Sequence, residues 1–102
     1  MMEQYLNIDK SLIPYRFDVE LRAELFEFEI RYDEEHKFFT IGLYKDEEFI
    51  AEEKLVYGKK LFLSIEDETF PKVDLIPIDP SGFQNTITYE NFNDTVFLEV
   101  IE

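Results

Sequence analysis

Apolar and charged residues alternate at every step along much of this 102-residue chain. The pattern is clearest in segments 17–21 (FDVEL) and 26–32 (FEFEIRY). Because successive side chains of a β-strand point to opposite faces, this spacing gives each strand one apolar face and one mainly anionic face. A helix would scatter the same residues around its circumference. The alternation therefore predicts an all-β protein.

Runs of this kind recur about every ten residues with turn residues between them, a spacing typical of antiparallel β proteins. The predicted fold class is a small antiparallel β-sandwich or a partly closed barrel. One short turn near Glu90–Asn93 is the only candidate helix. The predicted strands are Tyr15–Leu21, Leu25–Tyr32, Phe38–Tyr44, Phe49–Val56, Leu61–Ser64, Val73–Ile78, Thr86–Tyr89 and Val96–Ile101.

The chain length predicts a single β domain over residues 1–102, in which residues 1–14 form either a short strand or an N-terminal arm. Eleven Phe and six Tyr provide large rings for a thin two-layer core. The strand Phe38–Tyr44 carries apolar residues on both faces, which is typical of a central strand or of one covered by a partner. The predicted core includes Phe28, Ile30, Phe39, Ile41 and Leu43.

The charge is strongly unbalanced, with 24 acidic residues against 10 basic ones and a formal net charge of −14. Binding to nucleic acid or to an anionic membrane surface is therefore disfavoured, because affinity for phosphates comes mainly from Lys and Arg. Three uses of the charge remain, namely solubility, a basic protein partner, or a surface that must not hold DNA. No basic and apolar leader and no apolar run long enough to span a membrane is visible.

No arrangement of residues predicts catalysis, a cofactor or a metal site. His36 is the single histidine, and its charged surroundings predict a solvated loop residue and not a catalytic base. Ser81 follows Asp79-Pro80 and precedes Gly82, which is the composition of a turn. Cysteine is absent, and the acidic runs lack the spacing of a calcium-binding loop. We therefore predict that the protein is not an enzyme and needs no cofactor.

Several aromatic residues exceed what a one-sided core needs. One explanation is a two-sided core inside a closed barrel. The other is an interface with another protein, where aromatic residues are enriched. The candidate interface residues are Phe38, Tyr44, Phe62, Tyr89 and Phe92.

The order of these segments resembles the baseplate plug family, the small axial baseplate proteins of contractile-tailed phages and phage-tail-like bacteriocins. The resemblance covers residues 16–100 and rests on five motifs in this order: 28–32 (FEIRY), 38–46 (FFTIGLYKD), 54–61 (KLVYGKKL), 75–82 (LIPIDPSG) and 91–100 (NFNDTVFLEV). The chain departs from the family in the hairpin turn 45–48 (KDEE), where the family often has Asp-Gly, and in the segment after Gly82.

The resemblance implies a structural part at the junction of the central hub and the tail tube, which closes or narrows the channel. It implies baseplate hub and tail-tube initiator proteins as partners, together with other copies of the chain. It also implies a location in the virion or tail-like particle, after assembly in the host cytoplasm. An alternative function is an acidic DNA mimic that inhibits a nuclease, restriction or CRISPR enzyme, since carboxylates can occupy a basic groove.

Overall fold

The strands form two antiparallel sheets. The computed structural model describes residues 3–63, 65 and 73–101. One sheet has three strands, with β7 between β1 and β6, and the other has four strands, in the spatial order β2, β3, β4, β5. The strands are β1 (Glu3–Tyr5), β2 (Tyr15–Leu21), β3 (Glu24–Asp33), β4 (Phe38–Lys45), β5 (Glu48–Lys54), β6 (Asp74–Ile78) and β7 (Phe97–Ile101).

The two sheets share one apolar core, so the predicted all-β fold class is confirmed. Among the described residues the sheets are not closed into a barrel, which favours the sandwich over the barrel. All five predicted core residues are buried, each with at most 1% of its surface exposed. They come from β3 and β4, the two central strands of the larger sheet, as predicted for the strand that begins at Phe38. The other sheet contributes Leu75, Leu98 and Val100.

Two tight hairpins fix the register of the larger sheet. Arg22 and Ala23 have φ of 49° and 64°, and Asp46 and Glu47 have φ of 52° and 66°. Two consecutive left-handed residues form the hairpin turn whose twist matches that of the flanking strands. The Asp46–Glu47 turn therefore adopts this geometry without the glycine that usually favours it.

The N-terminal segment is a short strand docked on the smaller sheet. β1 pairs with β7, and beyond it the Leu6 amide donates to the Leu98 carbonyl at 2.9 Å. Ile8 then enters the core with 1% exposure. A 3₁₀ helix, Lys10–Leu12, follows and leads to β2. Of the two predicted forms, the short strand is correct.

The predicted strand Leu61–Ser64 is wrong over its described residues. The Leu61 amide donates to the Leu75 carbonyl at 2.9 Å, but the run ends at once because Phe62 has φ of 61°. A left-handed residue turns the chain out of the extended conformation. Ser64 lies outside the described residues. The segment instead covers the free edge of β6.

The predicted strand Thr86–Tyr89 is also wrong, because side chains there compete with sheet pairing. The Thr88 amide donates to Asn91 Oδ1 at 2.9 Å, and the Asn91 amide donates to Thr88 Oγ1 at 3.0 Å. The Phe92 amide also donates to the Thr88 carbonyl at 3.0 Å, a helical spacing. The helical turn predicted near Glu90–Asn93 is therefore present as a turn.

Candidate interaction site

On the outer face of the larger sheet, the carboxylate of Glu29 binds side chains from its own strand and from neighbouring strands. Arg16, Glu29, Gly42 and Glu52 occupy adjacent positions across the four strands. Glu29 is only 8% exposed, although it faces away from the core. Its Oε1 lies 3.1 Å from Arg16 Nε, and its Oε2 lies 2.6 Å from a terminal nitrogen of Arg31. Charge-assisted hydrogen bonds of this kind are about twice as strong as neutral ones.

The Tyr44 ring lies beside Gly42 and contacts this carboxylate. A Cβ at Gly42 would lie 3.4 Å from Cε1 of the Tyr44 ring and 3.7 Å from the Glu29 Cβ. The Tyr44 hydroxyl donates to Glu29 Oε1 at 3.1 Å, and the Arg16 guanidinium carbon lies 3.9 Å from the ring centroid. Burial alone would raise the pKa of Glu29, but the hydrogen bonds from Tyr44 and Arg16, with the Arg31 charge, hold it below its usual value.

Two of the predicted interface residues, Phe38 and Tyr44, lie half-buried on this outer face. Lys54 Nζ lies 4.7 Å from the Phe38 ring centroid, within the range of a cation–π contact. The Tyr44 ring lies 5.5 Å from that of Phe49, which is 57% exposed. Both residues keep accessible aromatic surface, and their contact with a partner stays a prediction.

Phe62 and Phe92, two of the candidate interface residues, are buried and do not offer the accessible aromatic surface that an interface needs. Their exposed fractions are 2% and 0%. The Phe62 ring lies 6.3 Å from that of Phe28, and the Phe92 ring lies 4.5 Å from that of Phe39. Both residues lie in loops, between β5 and β6 and between β6 and β7, and both side chains belong to the buried core cluster. They complete the core of the folded monomer and are not available to a partner.

Tyr89 belongs mainly to the fold as well. It is 37% exposed, but its ring stacks on Phe39 with a centroid distance of 6.0 Å and an interplanar angle of 9°. The Tyr32 ring also lies 5.0 Å from it, in an edge contact. Its carbonyl accepts from Lys10 Nζ at 2.7 Å, which ties it to the N-terminal segment. Only the exposed part of the Tyr89 side chain is accessible to a partner.

Asp79 organises the loop between β6 and β7. The residue is 4% exposed, and its two carboxylate oxygens accept four hydrogen bonds. Oδ1 accepts from the amide and hydroxyl of Ser81 at 2.8 and 2.6 Å, and Oδ2 accepts from the amides of Phe83 and Gln84 at 3.1 and 2.8 Å. The Ser81 hydroxyl, more than any other contact, holds the pKa of Asp79 below its usual value. Burial acts in the opposite direction, and the three amides add to the effect of the hydroxyl, so that the four hydrogen bonds together outweigh burial.

Replacing Asp79 by Ala is expected to loosen this loop while the sheets stay intact. The amides of Phe83 and Gln84 would lose their acceptor, so their hydrogen exchange should accelerate by about tenfold or more. Because the folded pKa lies below the ordinary 3.8, the carboxylate stabilises the loop above that pH and stops doing so as the pH falls through the lowered pKa. Amide exchange followed by NMR at pH 7 checks the first effect, and the same measurement continued below pH 3.8 until protection is lost checks the second. Unchanged exchange in the variant, with Asp18→Ala as the exposed control, would contradict this role.

The sequence-based set of interface residues missed the most exposed aromatic side chain among the described residues. Phe83 is 87% exposed, ahead of Leu63 at 67%, Leu25 at 62% and Leu12 at 56%. The sequence did contain a signal, because Phe83 directly follows the turn motif Asp79-Pro80-Ser81-Gly82. A large apolar residue in a turn has no strand face on which to be buried, and it is buried only where its loop folds onto the core, as at Phe92.

His36 and Ser81, the residues considered for catalysis, make contacts typical of turn residues. His36 lies in the β3–β4 turn with a side chain 66% exposed, and its Nδ1 is 3.1 Å from Asp33 Oδ2. The Ser81 hydroxyl donates to Asp79, as expected of a turn residue. No group of His, Cys, Asp and Glu suited to a metal ion occurs within the described part of the chain. In that same part, no helix has the length and apolarity needed to cross a bilayer.

Comparison with known proteins identifies the family. The family model described as cyanophage baseplate Pam3 plug gp18 matches residues 3–102. Neither the curated proteins nor the solved structures yield a match. The matched range includes both sheets, Glu29 with the side chains that contact it, and the loop between β6 and β7 that Asp79 organises. This chain therefore belongs to the family of the cyanophage baseplate Pam3 plug gp18.

Proposed function

We propose that this baseplate plug protein sits on the tail axis, where the central hub meets the tail tube, and narrows the channel until ejection. The family match over residues 3–102 carries the proposal. The hub and tail-tube initiator proteins would be its partners, and the assembled particle its final location. Its task would be to fit against these neighbours and to perform no reaction.

The distribution of charge supports an axial position. The net charge is −14, and exposed acidic side chains lie on strands and turns of the larger sheet and in the loop before β7, among them Asp18, Glu20, Glu34, Glu52 and Asp94. Carboxylates repel the phosphates of DNA, so a plug of this composition would not adhere to a genome passing along the channel.

The outer face of the larger sheet is a candidate contact surface for a neighbour. The Tyr44 ring contacts the Arg16 guanidinium, and its hydroxyl donates to Glu29. Lys54 Nζ lies over the Phe38 ring. Aromatic residues fixed in this way lose little conformational freedom on binding. Other copies of the chain are the remaining predicted class of partner, but the net charge of −14 on each copy disfavours them at this face.

The experiment that tests the proposed position compares baseplate reconstructions of particles with and without this gene. Axial density that disappears with the gene supports the proposal. The DNA-mimic alternative predicts instead that purified protein binds one basic enzyme and that the complex dissociates as salt is raised.

A further inference from the structure

One surface segment of this acidic chain has no charge. Residues 80–89 (PSGFQNTITY) contain no Asp, Glu, Lys or Arg, although one third of the whole chain is charged. A run of that length would carry about three charges at the average composition. Asp79 and Glu90 flank it, and within it only Ile87 is half-buried while the other residues are exposed. We call residues 80–89 the neutral loop.

The neutral loop presents an aromatic side chain on a fixed backbone. Phe83 is 87% exposed, and the amides of Phe83 and Gln84 are both held by Asp79 Oδ2. The Gly82 amide donates to the Asp79 carbonyl at 3.0 Å, and Gly82 has φ of 79°. These contacts fix the backbone on both sides of Phe83, so its side chain is held in a solvent-exposed position.

The other half of the loop is fixed by Asn91. Asn91 Nδ2 donates to the Thr86 carbonyl at 3.0 Å and to Gln84 Oε1 at 3.3 Å, and Asn91 Oδ1 accepts from the Thr88 amide. An ordered loop of this kind pays little entropy when it binds a partner. Its Ser, Gly, Asn, Gln and Thr residues around an aromatic anchor resemble the composition of antibody binding loops.

We propose that the neutral loop is a docking element, and that Phe83 inserts into an apolar pocket on another baseplate protein, rimmed by uncharged hydrogen-bonding groups. This inference rests on the proposed function. The absence of charge in the loop favours an uncharged partner surface, because a loop without carboxylates gains no electrostatic attraction from a basic one. Interface cores are likewise depleted in charged residues. Two copies of this chain would bring net charges of −14 together, which disfavours a second copy as occupant.

The test adds purified full-length protein to particles from which this gene has been deleted, and measures the bound amount by quantitative mass spectrometry. Phe83→Ser is expected to bind at least about tenfold more weakly than the unmodified protein, as for loss of an aromatic anchor. Leu12→Ser removes a 56% exposed apolar side chain elsewhere and should bind normally. Phe83→Leu should recover part of the binding. The binding should also be the same in low and high salt.

The outcomes separate the inference from the proposed function. Normal binding by Phe83→Ser overturns the inference and leaves the proposed function standing. Failure of the unmodified protein to bind overturns both. If the amount bound changed with salt concentration, the partner surface would be charged, and the inference would be contradicted. A dimer of the purified protein, seen by light scattering and abolished by Phe83→Ser, would make a second copy the occupant and contradict it too.

Discussion

Replacing Phe92 by Glu is expected to prevent folding. The Phe92 side chain has 0% exposure and lies against Phe39 with a centroid distance of 4.5 Å. The change removes buried aromatic contacts, worth about 3–5 kcal/mol for truncation of a core Phe. It also places a carboxylate without a partner in the core, which costs several kcal/mol more. The sum is comparable with the roughly 5–15 kcal/mol that stabilises a typical domain.

Far-UV circular dichroism and the dispersion of the amide NMR spectrum measure this effect. Phe83→Glu is the matched control, because the same charge is then added at a position that is 87% exposed. The control should retain the β spectrum and the dispersion of the unmodified protein, while Phe92→Glu should lose both. A cooperative melt of Phe92→Glu at the normal temperature would show that this loop does not belong to the core.

Replacing Phe39 by Ala is expected to destabilise the protein by about 3–5 kcal/mol without abolishing its fold under mild conditions. Phe39 lies on a central strand with 1% exposure and packs against Tyr32 at 4.7 Å as well as against Phe92 and Tyr89. The truncation leaves a cavity among rings from a strand and from the loop before β7, and these cannot all collapse inward together.

Urea unfolding, extrapolated to water, gives the free-energy difference for Phe39→Ala. Phe83→Ala removes the same atoms from an exposed position and should change stability by no more than about 0.5 kcal/mol. Phe39→Leu should lie between the two. A loss below about 1 kcal/mol for Phe39→Ala would contradict the central place given to this ring.

Alternation in the sequence was enough to predict the larger sheet. β2 has the predicted bounds, β3 is one residue longer than predicted at each end, and β4 is one residue longer at its C-terminal end. The reason is physical, since an error of one residue in register would turn Phe28 and Ile30 to solvent and Glu29 to the core. Tight two-residue turns then leave the hairpins no other pairing.

Loops were predicted less well, because they carry no periodicity. Phe62 and Phe92 are loop residues, and nothing in their neighbours indicates that the loops fold back to close the core. Glu29 shows the same limit on the surface. Its position in an alternating strand predicted solvation, but Arg16 on the neighbouring strand and the Tyr44 hydroxyl lie against its carboxylate and cover it.

The candidate site was predicted only in part. The turn at Asp79 and Ser81 was expected from its residues, whereas the use of one carboxylate to hold three amides depends on the path of the following chain. Phe83 was not among the candidate interface residues, and its place in a turn did not distinguish it from Phe92, which is buried. The charge-free run 80–89 was visible in the sequence, and only its exposure gave it meaning.

The most direct test of the account is a difference map between baseplate reconstructions of particles with and without this gene. The account predicts density on the tail axis, at the junction of hub and tube, that fits a sandwich of one three-stranded and one four-stranded sheet. That density should be absent from the deletion particle. Identical axial density in both particles, or a difference confined to the periphery of the baseplate, would contradict it.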